Sequence, residues 1–244
     1  MSEHYVGSVA RDGAWLAVAY TADGFDHAAV FDGVGELWTR YEESANRIAI
    51  DVAIGLETAS APRPNERAAR ALLGERDDAV VPAPVREAAK KHRYRAANRV
   101  HERKTGSELP RRAFERASVI ASVDEFLDAI DDARPVFFEA NPELCYLAFA
   151  GDAPSESPGT ASGYAERMRA LAEFDRDAPP TVQSVASATE GFRVPIPAVL
   201  DAVALGLTAC PGPGSLRSLP ADPPTDERGL PMRYVYRSGT ALSE

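Results

Sequence analysis

The sequence predicts an α/β fold in which a mixed β-sheet is flanked by helices. Three strand patterns near the start, joined by turns that contain Asp and Gly, predict an antiparallel meander. A fourth strand pattern, residues 48–56, is apolar on both faces, as in a central strand of a mostly parallel sheet. Helical patterns then alternate with a further strand and end in an apolar helix.

The composition is that of an ordinary globular protein with an acidic balance. The 244 residues are enough for one α/β domain or two small ones, and 45% of them are hydrophobic. The net charge of −10 argues against broad electrostatic binding to nucleic acid, although a local basic stripe is compatible with it. The two cysteines have no metal-ligand spacing, and the sequence shows no long apolar run and no leader pattern. These observations predict a cytoplasmic protein with no membrane partner.

The first part of the chain has the predicted order β-β-β-α-β. Strands are predicted over residues 5–10, 15–20 and 28–31. Residues 33–46 predict a helix, because Leu37, Tyr41 and Ala45 recur at every fourth position. The strand over 48–56 follows and places Asp51 in the middle of an apolar strand.

Residues 65–130 predict a mainly helical and charged segment. A short helix over 66–73 ends at Gly74, and residues 82–84 interrupt the chain with two prolines. A strongly basic helix is predicted over 85–104. Ser122, with Glu125 three residues later, predicts the start of a helix that continues to residue 130.

Basic residues are concentrated between positions 86 and 116, in a chain whose net charge is −10. One interpretation is a solvated helix face with pairs such as Glu87 with Lys91. The other is a surface that contacts phosphates, which is favoured because local acids are too few to pair every base. We therefore predict nucleic acid as a partner of this region. The predicted contact residues are Arg86, Lys90, Arg93, Arg111 and Arg112.

The last third of the chain predicts one strand, two helices and an edge strand. Residues 136–139 are a short apolar strand that is broken by the Asn-Pro-Glu sequence at 141–143. A Gly- and Pro-rich loop precedes a helix over 164–174, and the almost wholly apolar residues 198–209 predict a buried helix. Residues 211–226 predict a surface excursion, and residues 232–236 an edge strand.

Three acids stand alone in apolar surroundings, namely Asp51, Glu139 and Asp201. A buried carboxylate is costly unless it is paired, hydrogen-bonded or bound to a metal. Carboxylates from two strands and a helix are what a two-metal phosphoryl-transfer site with Mg²⁺ or Mn²⁺ requires. The alternative is that they are structural and accept hydrogen bonds from loops. The order of elements predicts a single ribonuclease H-like domain over 1–244, with a five-stranded mixed sheet and a basic helical insertion at about 65–130 between the fourth and fifth strands.

Several short motifs, in order along nearly the whole chain, resemble domain-of-unknown-function family 429, described as predicted ribonuclease H-like nucleases. The resemblance implies that the first and fourth strands lie side by side. It also implies that Asp51, Glu139 and Asp201 are catalytic and bind the metal. The matching stretches are residues 6–7 with 15, 50–56, 67–70, 73–74, 82–86, 123–127, 139 with 142–143, 160 with 163 and 166–167, 200–202 and 229–232.

The departures from the family bear on activity. Val9 stands where the family usually has an Asp on the first strand, and Asn141 stands where it tends to have His. Three hypotheses follow: a metal-dependent nuclease, a degenerate member that binds nucleic acid or a nucleotide without cutting it, and an interaction protein with structural acids. Val9 favours the second over the first. The four histidines show no ligand spacing, so the sequence predicts no site from them.

Overall fold

A computed structural model describes residues 3–242, and its centre is a five-stranded sheet. β1 runs antiparallel to β2, and β2 to β3, whereas β4 is parallel to both β1 and β5. The order across the sheet is β3-β2-β1-β4-β5. The predicted ribonuclease H-like arrangement, with the first and fourth strands side by side, is therefore confirmed. The strands are β1 (His4–Arg11), β2 (Ala14–Thr21), β3 (Gly24–Phe31), β4 (Ala45–Ile50) and β5 (Phe137–Glu139).

Helices cover both faces of the sheet and fill the segment between β4 and β5, as predicted. None of the helices in residues 3–242 is long and apolar enough to span a lipid bilayer. A separate hairpin of β6 (Ser215–Leu219) and β7 (Tyr234–Ser238) forms a second sheet. The helices are α1 (Val34–Tyr41), α2 (Pro64–Leu73), α3 (Arg86–Ala89), α4 (Tyr94–Thr105), α5 (Arg111–Glu115), α6 (Ala117–Ala129), α7 (Pro142–Ala150), α8 (Ala161–Phe174), α9 (Ala178–Ala188) and α10 (Ile196–Ala209).

The backbones of β1 and α10 touch at two glycines. A Cβ atom at Gly7 would lie 2.0 Å from the backbone N of Gly206, so only glycine fits there. Gly7, Val9 and Arg11 share this face of β1, because side chains alternate along a strand. The close packing brings Asp201 of α10 within hydrogen-bond distance of Arg11, at the carboxyl end of β1.

The fourth strand is shorter than predicted. β4 ends at Ile50, so residues 51–56 form a loop, and the prediction of Asp51 in mid-strand is wrong. Ile50 is the last residue of β4 that pairs with a neighbouring strand: it lies opposite Ser8 of β1 and Glu139 of β5. The apolar alternation of the sequence continues further because most of the loop residues are buried too.

Two predicted helices are divided or shortened. α1 ends at Tyr41, and Ala45, which fitted the helical spacing, begins β4. The basic helix predicted over 85–104 is two helices, α3 and α4. In a straight helix Val85 and Val100 would lie about 22 Å apart. They instead pack in one apolar cluster, which requires the chain to fold back between them.

Several boundaries in the rest of the chain also differ from prediction. α6 begins at Ala117, so Ser122 lies inside the helix and caps nothing. The predicted break after residues 136–139 is confirmed, since β5 ends at Glu139. Asn141 also starts α7, because its side-chain oxygen accepts a hydrogen bond from the Leu144 N–H at 3.2 Å. Residues 211–226, which were predicted to be a surface excursion, contain β6. The predicted edge strand pairs with β6 as β7 and does not extend the main sheet.

Candidate functional site

A cleft of about 480 Å³ opens at the carboxyl ends of β1, β4 and β5. Arg11 ends β1, Asp51 follows β4 and Glu139 ends β5, and all three line the cleft. Asp201 of α10 also lines it. The carboxyl ends of parallel strands are where open α/β sheets bind ligands. The three acids singled out in the sequence therefore border one cleft at the expected edge of the sheet.

The guanidinium group of Arg11 bridges two of these acids. It donates a hydrogen bond from Nη1 to Asp51, and its Nη2 donates to Oδ2 of Asp201 at 3.2 Å. Asp51 also accepts a hydrogen bond from the Ala10 N–H at 3.0 Å. Arg116 lies 3.4 Å from the Asp51 carboxylate and donates to the Asp51 carbonyl at 2.9 Å. Two arginines thus contact the two acids at the floor of the cleft.

The two bridged carboxyls have pKa values that move in opposite directions. Burial by itself would raise the pKa of Asp51, but the charges of Arg116 and Arg11 outweigh it and hold that pKa below its ordinary value. Burial raises the pKa of Asp201 to about 7, because Arg11 offsets only part of the desolvation. The hydroxyl of Tyr146 donates to Oδ1 of Asp201 at 3.1 Å. Near neutral pH, Asp51 is therefore ionised, whereas Asp201 is protonated in part of the molecules.

Glu139 belongs to a separate buried network. Its Oε1 accepts from Nη2 of Arg63 at 2.7 Å, and its Oε2 accepts from Nη1 at 2.9 Å. Oε2 also accepts from the Ile54 N–H at 3.0 Å, and Arg63 donates in addition to Glu66 and to the Gly55 carbonyl. Burial raises the pKa of Glu139, and Arg63 offsets part of that effect. This network fixes the loop that follows β4.

As arranged, these acids do not fit a two-ion metal centre. A guanidinium group lies between Asp51 and Asp201, and both oxygens of Glu139 are engaged by Arg63. The three acids do not all bring a ligand oxygen within 4.8 Å of one another. Val9 is fully buried and offers only methyl groups. Binding of Mg²⁺ or Mn²⁺ by the three acids, and their catalytic role, stay predictions. Metal binding by all three would require both Arg11 and Arg63 to leave their positions.

The predicted nucleic-acid contacts occupy several different environments. Arg112 is exposed and lines the cleft. Arg86 is buried and its charge is neutralised inside the protein by Asp124, Asp226 and Glu227. Like Arg86, the other three lie outside the cleft. Lys90 pairs with Glu125 at 3.4 Å, Arg93 is exposed, and the Arg111 guanidinium lies 3.7 Å from the centre of the Tyr94 ring.

Some cleft residues were not predicted as part of the site. Arg11 could have been found, because it lies two positions after Val9 and so projects from the same face of β1. Arg116 was grouped with the basic stretch, and its place beside Asp51 depends on the fold of the insertion. Nothing in the local sequence around Arg63 or Tyr146 indicates that they contact Glu139 and Asp201.

The sheet order and the cleft at its carboxyl edge define a ribonuclease H-like α/β protein. A family model described as "Protein of unknown function (DUF429)" matches residues 10–225. The chain therefore belongs to the DUF429 family, which confirms the resemblance found in the sequence. No curated protein and no solved structure matches the chain.

Proposed function

We propose that the protein binds the phosphate groups of nucleic acid in this cleft and does not hydrolyse them. The observation that carries the proposal is the position of Arg11 between Asp51 and Asp201. Guanidinium groups supply positive charge where the related fold would use metal ions. A guanidinium group has five N–H donors, and Arg11 uses three of them for Asp51, the Ala10 carbonyl and Asp201, which leaves donors for a phosphate oxygen.

The balance of charge at the cleft floor favours an anion. Arg11 and Arg116 are permanently charged, and their side chains are 32% and 27% exposed. Asp51 opposes them with one negative charge. When Asp201 carries its proton, the group of four has a net positive charge. A phosphate oxygen bound beside Arg11 and Arg116 would supply the negative charge that balances these two guanidinium groups.

Further arginines on the cleft wall favour a polymer over a single small anion. Arg112 is exposed, and the one hydrogen bond that it donates within residues 3–242 goes to the Asp78 carbonyl, at 3.2 Å. Arg76 also lines the cleft. Its Nη1 lies 3.9 Å from Asp78, and its Nε has no hydrogen-bond partner in the described part of the chain. Together with Arg11 and Arg116 they place several positive charges along one cleft, among the acids Asp78, Glu115 and Glu143, and repeated positive charge is what a nucleic-acid backbone binds.

Binding of fluorescent single- and double-stranded oligonucleotides, measured by anisotropy over a salt titration, tests the proposal. The expected result is affinity that falls steeply with salt. Arg112→Gln should weaken binding and reduce the slope of log K against log salt by about 0.7 for a single strand. Arg95→Gln is the matched control, because Arg95 is exposed on α4 and lies outside the cleft.

Two results would contradict the proposal. Negligible binding at low salt would leave an interaction protein with structural acids. A loss of affinity in Arg95→Gln but not in Arg112→Gln would move the binding surface to the outer face of the basic helices.

A metal-dependent nuclease is the second candidate, and one observation favours it. Asp51 and Asp201 contact the same guanidinium group, so both carboxylates face the space that Arg11 would vacate if its partly exposed side chain swung out. Incubation of wild type and Arg11→Ala with labelled oligonucleotides and Mn²⁺ tests this. Cleavage that disappears when Asp51→Asn is added would support the nuclease. Absence of cleavage in both proteins would leave phosphate binding alone.

A further inference from the structure

A second cluster of metal-ligand side chains lies at the opposite end of β1 from the cleft. His4 begins β1 and Arg11 ends it, so about 23 Å of strand separates the two places. His4, Asp26 and His27 each offer one ligand atom, and these atoms all lie within 4.8 Å of one another. Among residues 3–242, no other group of three His, Cys, Asp or Glu side chains meets that distance.

Both imidazole rings point at the same carboxylate oxygen. Nε2 of His4 lies 3.2 Å from Oδ2 of Asp26, and Nδ1 of His27 lies 2.7 Å from it. Two ligands of a tetrahedral zinc ion, each bound at about 2.0 to 2.1 Å, lie about 3.3 Å apart. The first distance already fits, and the second requires a small outward movement of Asp26, which is the most exposed of the three.

The other nitrogen of each ring has a hydrogen-bond partner. Nδ1 of His4 lies 3.0 Å from the hydroxyl of Ser44, and Nε2 of His27 lies 2.9 Å from the hydroxyl of Tyr41. Histidines that bind a metal usually donate their second N–H in this way, which fixes the tautomer and the ring orientation. Both rings therefore turn a nitrogen to Asp26 and anchor the other in the protein.

Irregularities in the strands create this arrangement. Ala19 of β2 pairs with His27 and Tyr20 pairs with Phe25, so Asp26 is the extra residue of a bulge in β3. A bulge redirects the side chains around it, and bulges are frequent beside functional sites. β2 lies between His4 and His27, but Ala19 carries only a methyl group. The two rings can therefore meet across that strand, at a centroid distance of 5.8 Å.

We propose that His4, Asp26 and His27 bind one Zn²⁺ ion, with water completing its coordination. Two imidazoles and one carboxylate suit zinc, whereas Mg²⁺ and Ca²⁺ prefer six or more oxygen ligands. The His4, Asp26 and His27 side chains are 13%, 45% and 27% exposed, which leaves a path for the ion and a place for water. The ion would join β1 to the edge strand β3 and, through Tyr41, to α1.

The site is tested by adding ZnCl₂ to the untagged, metal-free chain. Calorimetry measures the stoichiometry and affinity of binding, and thermal denaturation measures the change in Tm. The expected result is one ion per chain and a rise in Tm that EDTA reverses, with no rise from MgCl₂. His27→Ala and Asp26→Asn should abolish this binding. Tyr41→Phe, which removes only the hydroxyl, should weaken it by about 10- to 100-fold.

Two variants serve as controls. His92→Ala, an exposed histidine between α3 and α4, and Asp51→Asn in the cleft should bind zinc as the wild type does. Absence of stoichiometric zinc binding to the wild-type chain would overturn the proposal. So would zinc binding that survives Asp26→Asn and His27→Ala but is lost in Asp51→Asn, because the ion would then lie in the cleft. Circular dichroism of each variant verifies that it is folded.

Discussion

Arg11 donates a hydrogen bond from Nη2 to the Asp201 carboxylate at 3.2 Å, and so joins the end of β1 to α10 across the floor of the cleft. Arg11 lies two residues after Val9 on the same face of β1. Val9 offers only methyl groups to the cleft floor, and the cation of Arg11 lies between Asp51 and Asp201. The charge at the floor of the cleft depends on this cation.

The affinity for nucleic acid should fall as pH rises through about 7. The pKa of Asp201 is raised to about 7, so above that pH this carboxyl becomes negative and opposes the phosphate. Anisotropy titrations at pH 6 and pH 8 measure the effect. Asp201→Asn should remove most of the difference, and none of the four histidines lines the cleft to produce it. A metal-dependent site predicts the opposite sign, since a cation binds the ionised carboxylate.

Asp201→Asn should also change stability in a pH-dependent way. A carboxyl whose folded pKa is raised binds its proton more tightly in the folded state, so its contribution to stability declines as pH rises from about 4 to about 7. The free energy of unfolding of Asp201→Asn, minus that of wild type, should therefore be larger at pH 8 than at pH 4.5. Urea denaturation of the variant and of wild type at the two pH values gives these free energies. An equal difference at pH 4.5 and pH 8 would contradict the raised pKa of Asp201.

Arg63→Met should destabilise the fold strongly. Arg63 is 2% exposed and pairs with both Glu139 and Glu66, so its removal leaves two buried carboxylates without their partner. Breaking such a pair costs about 3–5 kcal/mol.

Arg70→Met, in the helix α2 that Arg63 immediately precedes, is the matched control for Arg63→Met. The Arg70 ion pair with Asp77 is largely exposed, and its loss should cost at most about 1 kcal/mol. Chemical denaturation measures both variants. Similar losses would show that the Arg63 network adds nothing beyond a surface ion pair.

Gly7→Ala should destabilise the protein by about 1–3 kcal/mol or more, because the added methyl group would meet the backbone of α10. Gly35→Ala in α1 has open space around its Cβ position and should be neutral or slightly stabilising. The two melting temperatures test whether β1 and α10 touch. An unchanged Tm for Gly7→Ala would mean that Asp201 is not held over β1 as described.

The order of the first four strands along the chain could be predicted because the turns and the alternation of β1, β2 and β4 are local features. That β1 lies beside β4 was implied only by the resemblance to the family. The sequence pattern misplaced Asp51, since buried loop residues extend the apolar alternation beyond the last ladder pair at Ile50. The partners of the acids were not predictable locally: Arg63 reaches Glu139 and Arg11 reaches Asp201 only after the chain has folded. The two histidines of the proposed zinc site are far apart in sequence and meet only across the small Ala19, beside a bulge.

The most direct measurement of the central claim is oligonucleotide affinity of wild type and Arg11→Gln, each in EDTA and in Mn²⁺. If Arg11 supplies the charge of an absent metal, the wild type binds equally well in EDTA. Arg11→Gln should then bind at least about tenfold more weakly, as expected when a charged hydrogen-bonding group is lost. Wild-type binding that requires Mn²⁺, or Arg11→Gln that binds as the wild type does in EDTA, would contradict the claim.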